Sequence, residues 1–441
     1  MTKEISTIFN AFRAHIVDIC QDAAKRAPYL VCDDERKRAS LFTRTRVWTF
    51  ANVVHAVMCC FKRTLSVEVA GFLEAENLPQ TTPEAYIERR ALISDELFKD
   101  SNLWLNQHLC HTGTVREWQG GKYLCGIDGT RLSLPYTDEL YRKYRQRDDK
   151  GYNLARGLFV TDLVNRTIVM ADMYPNKTEE RKAALAALTS GAFPYPLQST
   201  VFVMDRGYPS LYLMNWFAKN TGGFIIRARR DTNPQVAAFM DSGKSSETVT
   251  LRLSRNRRDI DYPVPDPLEV RLVKRPPLKD GEEPTVYITN LDAGQYPDSA
   301  ILNAYRMRWN SETEIGTAKN QLQIEIFSGT REICIRQDFF AAIILYNIES
   351  VIRLFCNKKL RSRTGKYQVQ VSMNRTWYFT CSLIMAMFRS ARILDRELTF
   401  CVKMFLRMHS PIRPGRNFPR KKKKIKRSGK YITLTNYKRG L

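Results

Sequence analysis

Four polar residues in one short segment fall on a single face of a predicted helix. The segment 305–319 reads YRMRWNSETEIGTAK. At about 100° per residue, an arc of roughly 60° contains four of its side chains: Tyr305, Arg308, Glu312 and Lys319. A carboxylate held beside two cations suits a group that binds a divalent metal while its neighbours hold phosphate oxygens. Glu314 points the opposite way, so the geometry favours Glu312.

The same segment also has a purely structural interpretation. An Arg–Glu pair at i,i+4 is a common surface feature that stabilises a helix by only about 0.2–0.5 kcal/mol. Trp309 is interpreted as a core residue rather than as a residue that stacks on DNA. The functional interpretation of this face therefore depends on acids elsewhere in the chain.

Two aspartates upstream supply those acids. The apolar runs KYLCGID and STVFVMD end in Asp128 and Asp205, and each is followed by a turn that contains glycine. Strand-end carboxylates on neighbouring strands converge at one edge of a sheet. Together with Glu312, they predict a site for Mg²⁺, which Mn²⁺ can replace, because hard cations prefer oxygen ligands. Two such ions would stabilise the attacking and leaving oxygens of a phosphoryl displacement.

The elements around these acids alternate between strands and helices. Two strand-like runs, 158–164 and 167–173, are separated by a hairpin signal, and helical patterns at 178–188 and 209–219 enclose the strand of Asp205. This order predicts an α/β protein with a ribonuclease-H-like catalytic core. Pattern changes divide the chain into five segments: helical 1–115, core 116–229, a β-rich insertion 230–298, second core part 299–410 and a basic tail 411–441.

The N-terminal segment is predicted to be all-helical. Thr82 is placed to cap a helix predicted over 83–98, which opens with Pro83 and includes Arg89 and Arg90. A short turn before a helix with exposed basic residues is compatible with a unit that binds the DNA of an element's end. An ordinary helical bundle fits the pattern equally well.

The charge of the chain predicts a polyanionic partner. The 441 residues carry a net charge of +25, and residues 411–441 contain twelve Lys or Arg and no acid. Nucleic acid is favoured over membrane because no apolar run approaches the ~20 residues of a spanning helix. The tail cations expected to contact DNA phosphates are Arg420, Lys421, Lys422, Lys423 and Lys424.

The cysteines indicate a reducing compartment. The ten cysteines form no CxxC pair, and most lie in apolar stretches, which predicts reduced thiols in a cytoplasmic protein. His108, Cys110 and His111 have the spacing of half a zinc site but lack a matching second half. The start of the chain has no signal-peptide pattern.

At this point the motifs resemble those of bacterial DDE transposases of the insertion-sequence-four family. That family carries Asp-Gly-Thr at its first acid, Asp-Arg-Gly-Tyr at its second, and the signature Y-x2-R-x3-E-x6-K at its third. Here Asp128 and Asp205 stand in the first two motifs, and the helix face of Glu312 matches all four signature positions. The resemblance covers roughly residues 40–430.

The resemblance implies cut-and-paste DNA transposition. Asp128, Asp205 and Glu312 would be the catalytic metal ligands, Arg308 and Lys319 would hold phosphates of the transposon end, and Tyr305 would contact DNA beside the cut. Double-stranded DNA with terminal inverted repeats, target DNA and a homodimer on paired ends are the expected partners, in a bacterial, nucleoid-associated setting. Two alternatives stay open: a catalytically dead DNA-binding descendant, and a ribonuclease-H-like nuclease without strand transfer.

Overall fold

A computed structural model describes most of the chain. The described residues are 2–43, 46–60, 62–145, 153–252, 267–277, 283–362 and 366–413. Their α-helices are α1 (Thr2–Gln21), α2 (Ala23–Arg26), α3 (Glu35–Ser40), α4 (Phe50–Met58), α5 (Leu65–Ala75), α6 (Pro83–Arg90), α7 (Glu96–His111), α8 (Asp138–Tyr144), α9 (Glu180–Thr189), α10 (Leu211–Asn220), α11 (Pro234–Asp241), α12 (Asp298–Asn320), α13 (Glu332–Leu360), α14 (Trp377–Met387) and α15 (Ala391–Arg407). Their strands are β1 (Tyr123–Leu134), β2 (Asn153–Asp162), β3 (Thr167–Pro175), β4 (Thr200–Met204), β5 (Gly223–Ala228), β6 (Ser246–Leu251), β7 (Leu268–Arg275), β8 (Thr285–Thr289), β9 (Val369–Val371) and β10 (His409–Pro411).

Strands β1 to β8 form one mixed sheet in the order β3-β2-β1-β4-β5-β8-β7-β6. β1, β4 and β5 run parallel, whereas β8 is antiparallel to β5 and the outer strands pair in antiparallel fashion. The predicted β-rich insertion therefore continues the main sheet. β5 would otherwise be an edge strand with unpaired backbone groups, and β8 satisfies them.

The two faces of this sheet bury separate apolar clusters because successive side chains point to opposite faces. Ile127 and Met204 lie in the cluster that includes side chains of α9, α10 and α11. Leu124 and Val203 lie in the cluster that includes Ile301 of α12. Helices therefore cover both faces, and the mixed α/β class is confirmed.

The chain divides into two compact units. One comprises Met1–Phe98, Ser133–Leu140 and Gln321–Leu441, and the other comprises Lys99–Leu132 and Tyr141–Asn320. The predicted boundaries differ from this division, since the N-terminal helices share their unit with the C-terminal ones. Within it, the Asn10 amide of α1 donates a hydrogen bond to Asp395 of α15 at 2.9 Å.

The helical segments follow the sequence pattern with one break. Thr82 caps α6 as predicted, by accepting a hydrogen bond from the Ala85 N–H at 3.3 Å. The predicted single helix from Pro83 to Phe98 ends at Arg90, however, because the backbone of Ile93 bridges to Leu30 instead of continuing the helix.

Helix α13 is the long apolar helix of the described residues. By length and composition it could cross a membrane, yet 89% of its apolar window is buried within the fold. Such burial is typical of a core helix. The expectation that no apolar run of the sequence approaches the length of a spanning helix is wrong for this segment.

Candidate active site

Asp128 and Asp205 occupy adjacent positions on two parallel strands. The β1–β4 register ends with the pair Ile127 and Met204, and each aspartate is the next residue along the chain. Asp205 lies at a strand end as predicted. The same prediction for Asp128 is wrong, because β1 continues to Leu134 beyond its pairing with β4. The parallel register nevertheless brings both carboxylates to one edge.

Helix α12 brings a cation and a third acid to this edge. The Arg308 Nη2 atom donates to Glu312 Oε1 at 2.6 Å, and Nη1 lies 3.5 Å from Asp128 Oδ2. The Arg308 guanidinium also lies 5.4 Å from the Tyr305 ring centroid. Arg308 is only 6% exposed. Its charge therefore bridges two of the three predicted catalytic acids, and the prediction that it meets phosphate directly stays untested.

Burial and neighbouring charges together determine the electrostatics of Asp128. Burial raises the pKa of Asp128 to about 7, the charge of Arg308 opposes this shift, and the nearby carboxylates of Asp205 and Glu312 add to it. Like charges that share a small site disfavour one another's ionised forms. The arrangement therefore favours binding of an additional cation.

The other two signature residues, Tyr305 and Lys319, make contacts within the fold. Tyr305 is 5% exposed and packs against Tyr287 with ring centroids 4.4 Å apart. Tyr305 is therefore a buried residue, and its contact with DNA remains a prediction. The Lys319 Nζ atom donates a hydrogen bond to the Arg131 carbonyl of β1. Lys319 lies beside the strand that carries Asp128, and its binding of phosphate remains a prediction.

Two further residues of α12 test the helical-face analysis. Glu314 is fully buried and pairs with Arg166 at 3.3 Å, so it does not join the acids on the face of Glu312. The interpretation of Trp309 as a core residue is wrong, because its side chain is 53% exposed. The helix turns Trp309 away from the sheet while Arg308 faces it.

The metal ligands predicted from sequence are neighbours but do not form a closed cage. Within the ranges described above, no group of three or more His, Cys, Asp or Glu side chains lies close enough together to hold a metal ion. The same finding applies to the zinc pattern at His108, Cys110 and His111. The oxygen donors of the three acids fit a hard divalent cation in chemistry, and their joint coordination of one remains a prediction.

The structure corrects one predicted DNA contact of the helical unit. Arg90 was expected to be exposed, yet it is 0% exposed. Its guanidinium donates to Asp338 Oδ1 at 2.8 Å and to the Cys334 carbonyl at 2.7 Å. Arg89 is half-buried, with its guanidinium 5.5 Å from the Phe42 ring centroid. Arg90 is thus a core residue, and the role of Arg89 remains a prediction.

The cations predicted to bind DNA in the tail lie outside the described residues: Arg420, Lys421, Lys422, Lys423 and Lys424.

Sequence analysis missed a residue nearer the site. Glu180, at the start of α9, pairs with Arg156 of β2. The sequence signal for Glu180 was its place in the first turn of the helix that follows β3. Acids at such positions are common because they interact favourably with the helix dipole, so the signal alone does not indicate a functional residue.

Comparison with known proteins identifies the family. Residues 119–348, just over half of the chain, match the family model described as the transposase DDE domain. No curated protein matches the chain. A cryo-EM structure of the piggyBac transposase synaptic complex with hairpin DNA is similar at 12% sequence identity and a TM-score of 0.42, covering 83% of this chain and 77% of that one. The match of the family model shows that this chain belongs to the transposase DDE domain family.

Proposed function

We propose that this protein is a DNA transposase that cleaves DNA at the ends of its element and joins the 3′ hydroxyls to target DNA. The observation that carries the proposal is the shared edge of β1 and β4. Asp128 and Asp205 follow the last paired residues of these strands. Arg308 of α12 pairs with both Asp128 and Glu312 and so holds Glu312 near the same edge. Family membership supports DNA strand breakage and joining as the reaction class of this edge.

A divalent cation is part of the proposal. Asp128, Asp205 and Glu312 would hold it, with Mg²⁺ as the expected ion and Mn²⁺ as a substitute. When bound, such ions supply Lewis-acid stabilisation of phosphate oxygens. Arg308 supplies a fixed positive charge between Asp128 and Glu312. It keeps the two acids oriented toward the same edge.

The finer assignments are also proposals. The signature face of Tyr305, Arg308, Glu312 and Lys319 supports membership of the insertion-sequence-four group and a bacterial origin. The strand order β3-β2-β1-β4-β5 supports a ribonuclease-H-like core. The net charge of +25 supports double-stranded DNA as the partner, at terminal repeats and at the target, with two copies of the chain on paired ends.

The decisive experiment separates cleavage from binding. Asp128→Asn, Asp205→Asn and Glu312→Gln should each lower single-turnover cleavage of an element end by about 10³-fold or more, because charge stabilisation in the transition state is lost. End binding should stay within about tenfold, since carboxylates repel phosphate. Glu179→Gln, which removes an exposed acid that pairs only loosely with Arg181, is the matched control.

Two outcomes would favour the alternatives. A wild-type protein that binds ends but does not cleave them with either Mg²⁺ or Mn²⁺ would be a DNA-binding descendant. A protein that cleaves, yet forms no joined product from a pre-cleaved end and target DNA, would be a nuclease without strand transfer. Full cleavage by any one acid variant would remove that residue from the site.

A further inference from the structure

A fourth carboxylate lies beside the strand that carries Asp128. An ideal Cβ atom at position 129 would lie 2.8 Å from both Cδ and Oε1 of Glu180. Glycine at position 129 therefore leaves the space that the Glu180 carboxylate occupies beside the backbone next to Asp128. This close approach brings Glu180 to the same edge of the sheet as the predicted catalytic acids.

Arg156 fixes the orientation of this carboxylate. One guanidinium nitrogen of Arg156 pairs with Glu180, while Nε and Nη2 each donate to the Asn176 carbonyl at 3.3 Å. The Arg156 side chain is 19% exposed and that of Glu180 is 32% exposed. An arginine held at several points restrains the carboxylate against Gly129 instead of leaving it free in solvent.

A buried hydroxyl provides an independent sign of a ligand. Tyr208 is 0% exposed, and its hydroxyl makes no hydrogen bond within the described part of the chain. The backbone N–H of Tyr208 donates to the Asp205 carbonyl at 3.2 Å, so Tyr208 belongs to the turn that directly follows Asp205. Burial raises the pKa of Tyr208, and the charges of Glu180, Asp128 and Asp205 raise it further. A buried donor without an acceptor destabilises the folded state. Bound water or a hydrated ion would satisfy it.

We propose that Glu180 is a fourth acid of this site, a positioning residue that accepts hydrogen bonds from water bound to the divalent cation, with the Tyr208 hydroxyl bonded to the same water. The inference rests on the proposed metal-dependent function. A carboxylate in this position adds negative charge near the cation without displacing any of the three direct ligands. Outer partners of this kind commonly change metal affinity by about 10–100-fold.

The test measures Mn²⁺ binding to the full-length protein without DNA, by electron paramagnetic resonance of the free ion. Glu180→Gln keeps the shape of the side chain and removes its charge, and it should weaken binding about tenfold. Asp128→Asn should weaken it at least as much. Glu179→Gln, one residue away and exposed, should leave binding unchanged.

Tyr208→Phe gives a second measurement that does not depend on the Glu180 variant being folded. It should weaken Mn²⁺ binding while the melting temperature of the metal-free protein stays the same or rises, because an unsatisfied hydroxyl is removed. A purely structural hydroxyl would give the reverse: a lower melting temperature and unchanged binding.

The outcomes separate this inference from the proposed function. If Asp128→Asn loses Mn²⁺ while Glu180→Gln and Tyr208→Phe bind as the wild type does, the fourth acid is overturned and the metal site stands. If the wild type binds no Mn²⁺, or Asp128→Asn binds it normally, both proposals fail.

Discussion

Replacement of Arg90 by methionine tests the buried network of the helical unit. Methionine fills much of the space of the arginine stem but removes its charge and its donors. Asp338, which is 4% exposed, would lose the Arg90 hydrogen bond, although Ser328 would still donate to it. The variant therefore leaves a buried carboxylate without the Arg90 cation.

The expected cost is large. Removing one partner of a buried ion pair destabilises by about 3–5 kcal/mol. In a unit of roughly 200 residues, each kcal/mol lowers the melting temperature by about 2–4 °C. We therefore expect a drop of roughly 6–20 °C in calorimetry. Arg90→Met combined with Asp338→Leu should recover most of it, since an apolar pair of similar volume is tolerated in place of a buried ion pair.

The control is the neighbouring cation. Arg89→Met should change the melting temperature by less than about 2 °C, because its side chain is half-buried and its guanidinium lies over the Phe42 ring in a cation–π contact. DNA binding by Arg90→Met, measured well below its melting temperature, should keep the salt dependence of the wild type. A stable Arg90→Met protein with weaker DNA binding and a shallower salt slope would refute the burial argument and restore Arg90 as a residue that binds DNA.

Three further predictions follow from other positions. An ideal Cβ at Gly126 would lie 2.9 Å from Leu163 Cδ2 and 3.3 Å from Ser311 Oγ of α12. The two further methyl groups of Gly126→Val should therefore shift the Glu312 helix and lower cleavage about 100-fold while end binding is retained; equal cleavage would mean that Leu163 and α12 tolerate the added side chain. Burial lowers the pKa of His55 from 6.5 to about 3. Between these two pH values only the unfolded state binds a proton at this histidine, so the free energy of unfolding decreases as the pH falls below 6.5. When the pH is lowered from 7.5 to 5.0, the His55→Leu variant should therefore lose about 2 kcal/mol less stability than the wild type in melting experiments. Equal losses in the two proteins would contradict the lowered pKa of His55. Deletion of residues 411–441 removes twelve cations and should make the slope of log K against log salt shallower by roughly 0.9 for each phosphate that the tail neutralises; an unchanged slope would mean that the tail does not touch DNA.

The proximity of Asp128 and Asp205 could be predicted because its signals are local. An apolar run that ends in aspartate indicates a strand whose side chain reaches a sheet edge, and helical periodicity alone separates Glu312 from Glu314. The parallel register of β1 and β4 then brings Asp128 and Asp205 together. Thr82 belongs to the same class, since a capping threonine acts within three residues of its own position.

The residues that sequence analysis misjudged depend on partners far along the chain. Arg89 and Arg90 are adjacent cations on one helix, and the buried partners of Arg90 lie far along the chain, including Asp338, which is 248 residues later. The position of the Glu180 side chain likewise depends on Arg156 of β2, which lies 24 residues earlier, and on the absence of a side chain at Gly129. No local pattern carries this information.

The discontinuous helical unit has a consequence for synthesis on the ribosome. Met1–Phe98 emerges first, but the partner segment starts at Gln321. At about 5–20 residues per second, the nascent N-terminal helices wait roughly 10–45 s for it. During that interval the apolar face of α1, which includes Phe9 and Phe12, has no α15 to cover it. Chains that terminate early would therefore expose this face permanently, become clients of chaperones or proteases, and leave only full-length protein to accumulate.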